Sequence, residues 1–196
     1  MGESFRDSKY VLVLKDHASH YCNLVVVDTA DSAVSVEALL MWHARFGPPP
    51  VWTSDQGSQF KNEVVSKLSR RLWTAQQFTP VNCPWINGSV ERVNRDILQV
   101  IRTVILEYKI NRRDWLYLMP SVQASINHTA VRSLANRAPV ELFTGLPCPT
   151  CNGVTHKWLH VATWLHGGFS NVGVRHTNGY TLQTTGLYAF RLPIGR

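Results

Sequence analysis

Two apolar, β-branched runs, Tyr10–Lys15 (YVLVLK) and Tyr21–Asp28 (YCNLVVVD), are separated only by the polar segment Asp16–His20. A link this short can turn one strand back antiparallel on the other, whereas a parallel crossover needs about a dozen residues or more. The chain therefore opens on a hairpin, with Asp16 at its turn. From Asp31 or Ser32 as N-cap, Val36, Leu39, Leu40, His43 and Phe46 follow helical spacing until Gly47 and Pro48–Pro50 end the helix. Val51–Thr53 reads as a short strand running into Ser54-Asp55-Gln56-Gly57. Phe60–Leu72 is amphipathic through Val64, Val65, Leu68 and Leu72, and Trp73–Phe78 is a second short strand.

Beyond the turn-rich stretch Pro80–Gly88, a long helix is expected from near Asn87 to about Lys109. Val90, Val93, Ile97, Ile101, Val104, Ile105 and Tyr108 form its buried stripe. A further helix follows Asp114, with Pro120 as a kink or a late start, and Pro139 opens a last short helix ended by Gly145. Hairpin, alternating helix and strand, then helices make an α/β layout with a mixed sheet flanked by helices.

Charge divides the chain at about residue 146. The 196 residues carry a net charge of +7, which points to a polyanionic partner. Residues 1–146 hold all 13 acids and 16 bases, whereas 147–196 hold four bases and no acid, together with 7 of the 12 Gly and 4 of the 8 His. Residues 147–196 are accordingly expected to be a basic, poorly ordered Gly/His-rich tail on a domain spanning 1–146. The longest apolar runs, Tyr10–Leu14 and Ala38–Trp42, are five residues, far short of the ~20 of a membrane span or the ~7–15 of a signal peptide core. This predicts a nuclear or cytoplasmic protein, neither membrane-bound nor secreted, with Cys22, Cys83, Cys148 and Cys151 as free thiols.

Asp55 lies just past the carboxyl end of a strand, where open α/β sheets place their ligand sites. Glu91 follows after 35 intervening residues, in the first turn of the long helix. Hard divalent cations take carboxylate oxygens, and two of them about 3.5–4 Å apart can activate a hydroxyl and stabilise a leaving oxygen in phosphoryl transfer. Arg95, Gln99 and Arg102, at +4, +8 and +11 from Glu91, share its side of the helix and suit phosphate oxygens. The plainer readings are a turn aspartate at Asp55 and a solvated Glu–Arg face on the helix.

TSDQGSQF (53–60), NGSVERVNR (87–95), the opening hairpin and DWLYLMPSVQASINHT…RAPVELFTG (114–145) together resemble the integrase core of LTR retrotransposons, the gypsy type in particular, over about residues 5–147. The resemblance implies an RNase H-like fold, Mg²⁺ or Mn²⁺ as cofactor, and a polynucleotidyl transferase that joins retroelement DNA ends to target DNA, working as a multimer. By position, Asp55 and Glu91 match catalytic metal ligands. Asn87, Arg92, Arg95 and Arg102 become the DNA-binding residues, Asn87 and Arg95 by match to the family and all three arginines as phosphate-binding cations.

The departures are equally specific. In the resembled family a first catalytic Asp lies on an opening strand ahead of the hairpin, and here its match would fall upstream of Met1. The fold is therefore expected to be incomplete at its N-terminus, lacking most of its first strand. Asp16 is a tempting substitute, but its strand should run antiparallel to the one carrying Asp55, putting the two carboxylates at opposite ends of the sheet; it is read as a turn residue. Cys148-Pro-Thr-Cys151 with His156 has the start of a zinc-knuckle spacing, but the expected fourth ligand falls on Val161, leaving only His160, and these residues are read as incidental. The leading reading is an integrase-core fragment. Its rivals are a catalytically inactive DNA-binding or assembly remnant of the same fold, and a basic structural protein unrelated to integration.

Overall fold

The computed structural model describes residues 10–29, 31–80, 84–148 and 187–193. The chain opens with β1 (Tyr10–Asp16) and β2 (Cys22–Val27), paired antiparallel from Tyr10↔Val27 to Lys15↔Cys22. There follow α1 (Ser32–Phe46), β3 (Val51–Ser54), α2 (Glu63–Arg71), β4 (Ala75–Phe78) and the long α3 (Pro84–Tyr108). A 3-10 segment, Arg112–Leu118, leads into α4 (Met119–His128), and α5 (Pro139–Thr144) ends at Gly145 with φ 72°, a left-handed conformation that glycine adopts without strain. Pro120 takes the late-start role, at the head of α4 where its missing N–H costs nothing.

The last described element is one that the sequence pattern does not announce. Leu187–Pro193 forms a strand, β5, at the centre of a five-stranded sheet ordered β2-β1-β5-β3-β4. It pairs antiparallel with β1 from Tyr10↔Pro193 to Asp16↔Leu187, and parallel with β3 from Trp52↔Leu187 to Ser54↔Ala189. The middle of the sheet is thus filled from the far end of the chain, and residues 187–193 pair into the fold. The physical reason is that β1 and β3 each present a row of unpaired N–H and C=O groups across the gap. A segment rich in Leu, Tyr and Phe that enters there gains two ladders at once.

The sheet separates two apolar layers. On one face Val11, Val13, Cys22 and Leu24 pack with Ile97, Val100, Ile101, Val104 and Ile105 of α3 and with Trp115, Met119 and Val122. On the other, Leu12, Leu14, Trp52 and Ala189 pack with Ala38, Leu39 and Trp42 of α1, Val65 of α2, and Phe143. The predicted stripe of α3 is recovered at 97, 101, 104 and 105, while Tyr108 is exposed. On α1 the buried face is rotated from the expected one: Ser35, Ala38, Leu39 and Trp42 turn in and Leu40 is 43% exposed, because the fully buried Trp42 indole claims the space over the sheet. There it joins Tyr21, Phe46 and Phe143 in an aromatic cluster, with Tyr21 and Phe143 stacked at 4.3 Å, which fastens α5 to the hairpin.

At the outer edge, β2 is covered by side chains. Asn127 of α4 accepts from Cys22 N–H at 2.8 Å and donates to Cys22 C=O at 2.7 Å, and Gln123 accepts from Leu24 N–H at 2.7 Å. Two amides thereby replace part of a neighbouring strand, which limits pairing with another chain. Among the described residues, no helix is long and apolar enough to cross a membrane. Cys22 is a buried free thiol and Cys148 is buried; Cys83 and Cys151 lie outside the described residues.

Candidate active site

β3 is short because its sequence changes from the alternating Val51-Trp52-Thr53-Ser54 to a turn at Asp55. Asp55 Oδ1 accepts from Gly57 N–H at 2.9 Å, an Asx turn that bends the chain away from the sheet. The turn is braced from behind. Gly57 C=O accepts from the N–H groups of Phe60 and Lys61, and Phe60 is buried under the sheet. Gln56 donates to Thr79 C=O at 3.5 Å, while Thr79 N–H returns to Ser54 C=O at 2.9 Å. A Cβ on Gly57 would meet the amide end of the Gln59 side chain, which would have to turn aside to admit it. Asp55 is exposed, held by one oxygen and with Oδ2 carrying no hydrogen bond among the described residues.

The second element is the amino-terminal half of α3. Its backbone carries Asn87 and Glu91, whose side chains lie outside the described residues. Arg92, Arg95 and Arg102 are exposed on one side of the helix, and none forms an ion pair with a described residue; the pair Glu63–Lys67, at 2.8 Å, lies on α2. The charges of Arg92 and Asp96 reach Lys15 on β1, so this part of α3 lies over the sheet. Lys15 is only 4% exposed, and its burial holds the ammonium below the ordinary lysine pKa. Beside it, burial pushes the Cys22 thiol up to about 12, which makes that cysteine unreactive.

Asn94 is a feature of α3 that the sequence does not announce. It lies one helical turn past Glu91, and its side-chain Oδ1 is buried with no hydrogen-bond partner among the described residues. An orphaned amide oxygen is a costly feature that a water or a cation would relieve. Its only signal in the sequence is the i+3 position, which many surface asparagines share.

Asp16 is not part of this site. Its Oδ2 accepts from Ser19 N–H at 2.8 Å and from Ser19 Oγ at 2.6 Å, closing the hairpin turn. The two ladders through β5 put Asp16 level with Trp52, three residues before Asp55 and two strands away, so the two Cα atoms are on the order of 14 Å apart at ordinary strand spacings. It also shares the face of Leu12 and Leu14, opposite to that of Val13 and α3. Cys148, the described member of the Cys/His group, is buried, and its N–H donates to Glu141 Oε1 at 2.9 Å. Cys151, His156 and His160 lie outside the described residues. Among the described residues no cluster of three or more His, Cys, Asp or Glu side chains could hold a metal ion.

A mixed sheet with an antiparallel hairpin at one side and parallel strands at the other, an aspartate at the mouth of β3 and a long arginine-bearing helix packed on the hairpin is a specific arrangement. The core superposes on a protein of the simian T-cell lymphotropic virus intasome (TM-score 0.62, 18% identity, 80% of this chain and 57% of that one). It also superposes on the catalytic core domain of HTLV-2 integrase, solved with magnesium in a trimeric form (TM-score 0.58, 15% identity, 72% and 89%), and on that of BIV integrase (0.57, 15%, 73% and 89%). The chain has the RNase H-like fold of an integrase catalytic core. Sequence similarity runs the same way. The chain is 28% identical over 142 residues to the Gag-Pol polyprotein of feline leukemia virus and 29% over 143 to that of gibbon ape leukemia virus. To the Pol polyprotein of a radiation murine leukemia virus it is 27% identical over 146 residues. These matches cover 72–74% of this chain but only 8% of each Gag-Pol and 24% of that Pol protein. No protein-family model matches.

Proposed function

We propose that this chain is the integrase core of a retroelement polyprotein, of the gypsy type by its motifs, nuclear or cytoplasmic in location, and that its site serves metal-dependent polynucleotidyl transfer between retroelement ends and target DNA. The observation that carries the reading is Asp55, pinned by one oxygen at the carboxyl end of β3 with its other oxygen unengaged among the described residues. Asp55 and Glu91 are the ligands we assign to Mg²⁺ or Mn²⁺, whose preference is for hard carboxylate oxygens. Such an ion supplies activation of a hydroxyl and charge stabilisation on the leaving oxygen. The chain's own part is to hold DNA: Asn87, Arg92, Arg95 and Arg102 belong to α3, and the exposed guanidinium groups there suit phosphate oxygens. Magnesium in the HTLV-2 core, and the trimeric and intasome assemblies of the neighbours, support a divalent ion and a multimer on DNA here as well.

One observation favours a second reading, a DNA-binding or assembly remnant without catalysis: β5, LYAFRLP, brings no carboxylate into the centre of the sheet. A single pair of assays separates the two. Binding to double-stranded DNA should weaken as salt rises. Arg95→Ala with Arg102→Ala should lower the log–log salt slope by about 0.9 for each phosphate that is no longer neutralised. Binding indifferent to ionic strength or to that double substitution sinks the assignment of these arginines to DNA. Strand transfer with Mn²⁺ that disappears in Asp55→Asn, while DNA binding persists, establishes the catalytic reading; no transfer under any metal leaves the remnant.

A further inference from the structure

We propose that Trp73, with Arg70 and Arg71, forms a docking platform for single-stranded DNA, the indole stacking an unpaired base while the guanidinium groups hold its phosphates. The choice of DNA over RNA rests on the integrase reading; the platform rests on the surface itself. Trp73 is 93% exposed, and its indole makes no hydrogen bond or ring contact with a described residue. Its backbone has φ 55°, a left-handed conformation that asparagine or glycine adopts more readily than a bulky residue. Lone exposed apolar residues are ordinary. Here, however, the fold gains neither burial nor an easy backbone from an indole, and yet it holds the position firmly. Leu72 N–H donates to Leu68 C=O at 2.9 Å and Thr74 N–H to Ser69 C=O at 3.0 Å, and the buried Thr74 hydroxyl donates to Pro49 C=O at 2.8 Å. An aromatic face presented from so fixed a backbone gives up little freedom when a base stacks on it.

The charge around the indole has one sign. Residues 64–80 hold Lys67, Arg70 and Arg71 and no acid. Lys67 is already paired with Glu63 at 2.8 Å. Arg71 is exposed and has no ion pair or hydrogen bond with a described residue, while Arg70 is exposed with only its Nε engaged, on Ser66 C=O at 3.5 Å. Arginines at a helix C-terminus suit the helix dipole, but that role needs no tryptophan. An aromatic face beside guanidinium groups is what a single strand requires, since its bases stack whatever their sequence and its phosphates are neutralised alongside. A duplex keeps its base faces inside the stack, so its binding should draw on arginines and not on the indole. The platform is also separate from the candidate active site. Ala75 pairs with Val51, four residues and roughly 13 Å along the strand before Asp55, so Trp73 stands at the opposite end of the β3–β4 pair.

The test is fluorescence anisotropy of a labelled oligothymidylate and of a duplex of equal length, each titrated with the full-length chain. Trp73→Asn, which suits the left-handed backbone, should keep the melting temperature and weaken oligothymidylate binding by roughly fivefold or more, with duplex binding changed by less than about twofold. Trp73→Phe should keep most of the affinity. Arg71→Ala should lower the log–log salt slope on the single strand by about 0.7 for each phosphate no longer neutralised. Unchanged oligothymidylate binding in Trp73→Asn, or an equal loss on the duplex, overturns the proposal. So does poly-glutamate that competes as well as oligothymidylate, which would make the partner an acidic protein, or oligouridylate bound more tightly than oligothymidylate, which would make it RNA. The assignment of the α3 arginines to DNA is judged separately, from the duplex arm with Arg95→Ala and Arg102→Ala.

Discussion

The two strands that flank the hairpin turn and the strand that fills the middle of the sheet were built by opposite routes. β1 and β2 are neighbours in sequence, uniformly apolar or β-branched, joined by a turn that Asp16 and Ser19 close with their own hydrogen bonds. β5 comes from the far end of the chain, and its register sets Arg191 opposite the buried Leu12 and Pro193 opposite Tyr10. A hairpin can form on local contacts alone, whereas a central strand joined across more than 150 residues gains its pairing only after both of its neighbours are in place. The hairpin is therefore the scaffold and β5 the element that the scaffold recruits.

Leu14 and Ala189 are paired across the β1–β5 ladder and share one apolar layer, so the same buried charge tests both routes. Leu14→Asp should abolish cooperative folding, because an unpaired carboxylate in that layer exceeds the ~5–15 kcal/mol that holds a domain together or takes most of it. Ala189→Asp should cost less, since β5 can withdraw. Urea unfolding with near-ultraviolet circular dichroism should show the first variant unfolded and the second still cooperative with a lower midpoint. Equal loss in both would show β5 to be as essential as the hairpin.

Removing the edge cover comes next in size. Asn127→Ala strips Cys22 of both its amide partners and should cost about 1–3 kcal/mol, with a rise in self-association visible by light scattering, because it reopens an unpaired strand edge. A variant that loses stability but stays dispersed would limit the role of Asn127 to bonding. A smaller effect of opposite sign is expected at the weak point of β5: Arg191→Val, at the register position paired with Leu12, should stabilise by about 1 kcal/mol, read as a higher urea midpoint. Destabilisation there would mean that Arg191 contributes to seating the strand.

The smallest effect is on pH. Burial in the turn, followed by the charge of Lys15, holds His20 down to about 4 from an ordinary 6.5. The folded state prefers the neutral ring, so this contribution is complete above pH 6.5 and is lost as pH falls toward 4. His20 has φ 61°, and asparagine tolerates that conformation, so His20→Asn should flatten the decline in stability between pH 6.5 and 4 without altering the turn. Parallel pH profiles for the two proteins would remove His20 from the account.

Local pattern carried a good deal of this protein. The hairpin, α1 to α5 in order, the stop at Gly47, the late start at Pro120, and Asp55 at a strand mouth are all written in short-range signals: β-branched runs, helical spacing, Gly and Pro, each of which acts on its own few residues. Which face of α1 turned inward was not, because Trp42 outcompeted Leu40 for space that exists only once α1 meets the sheet. Nor was β5. Seven residues in an acid-free, Gly-rich stretch have no periodic signature, and nothing local says that LYAFRLP belongs between β1 and β3. That was decided by the gap itself, since two strands with unsatisfied backbone groups on facing sides stabilise any compatible segment long enough to bridge them.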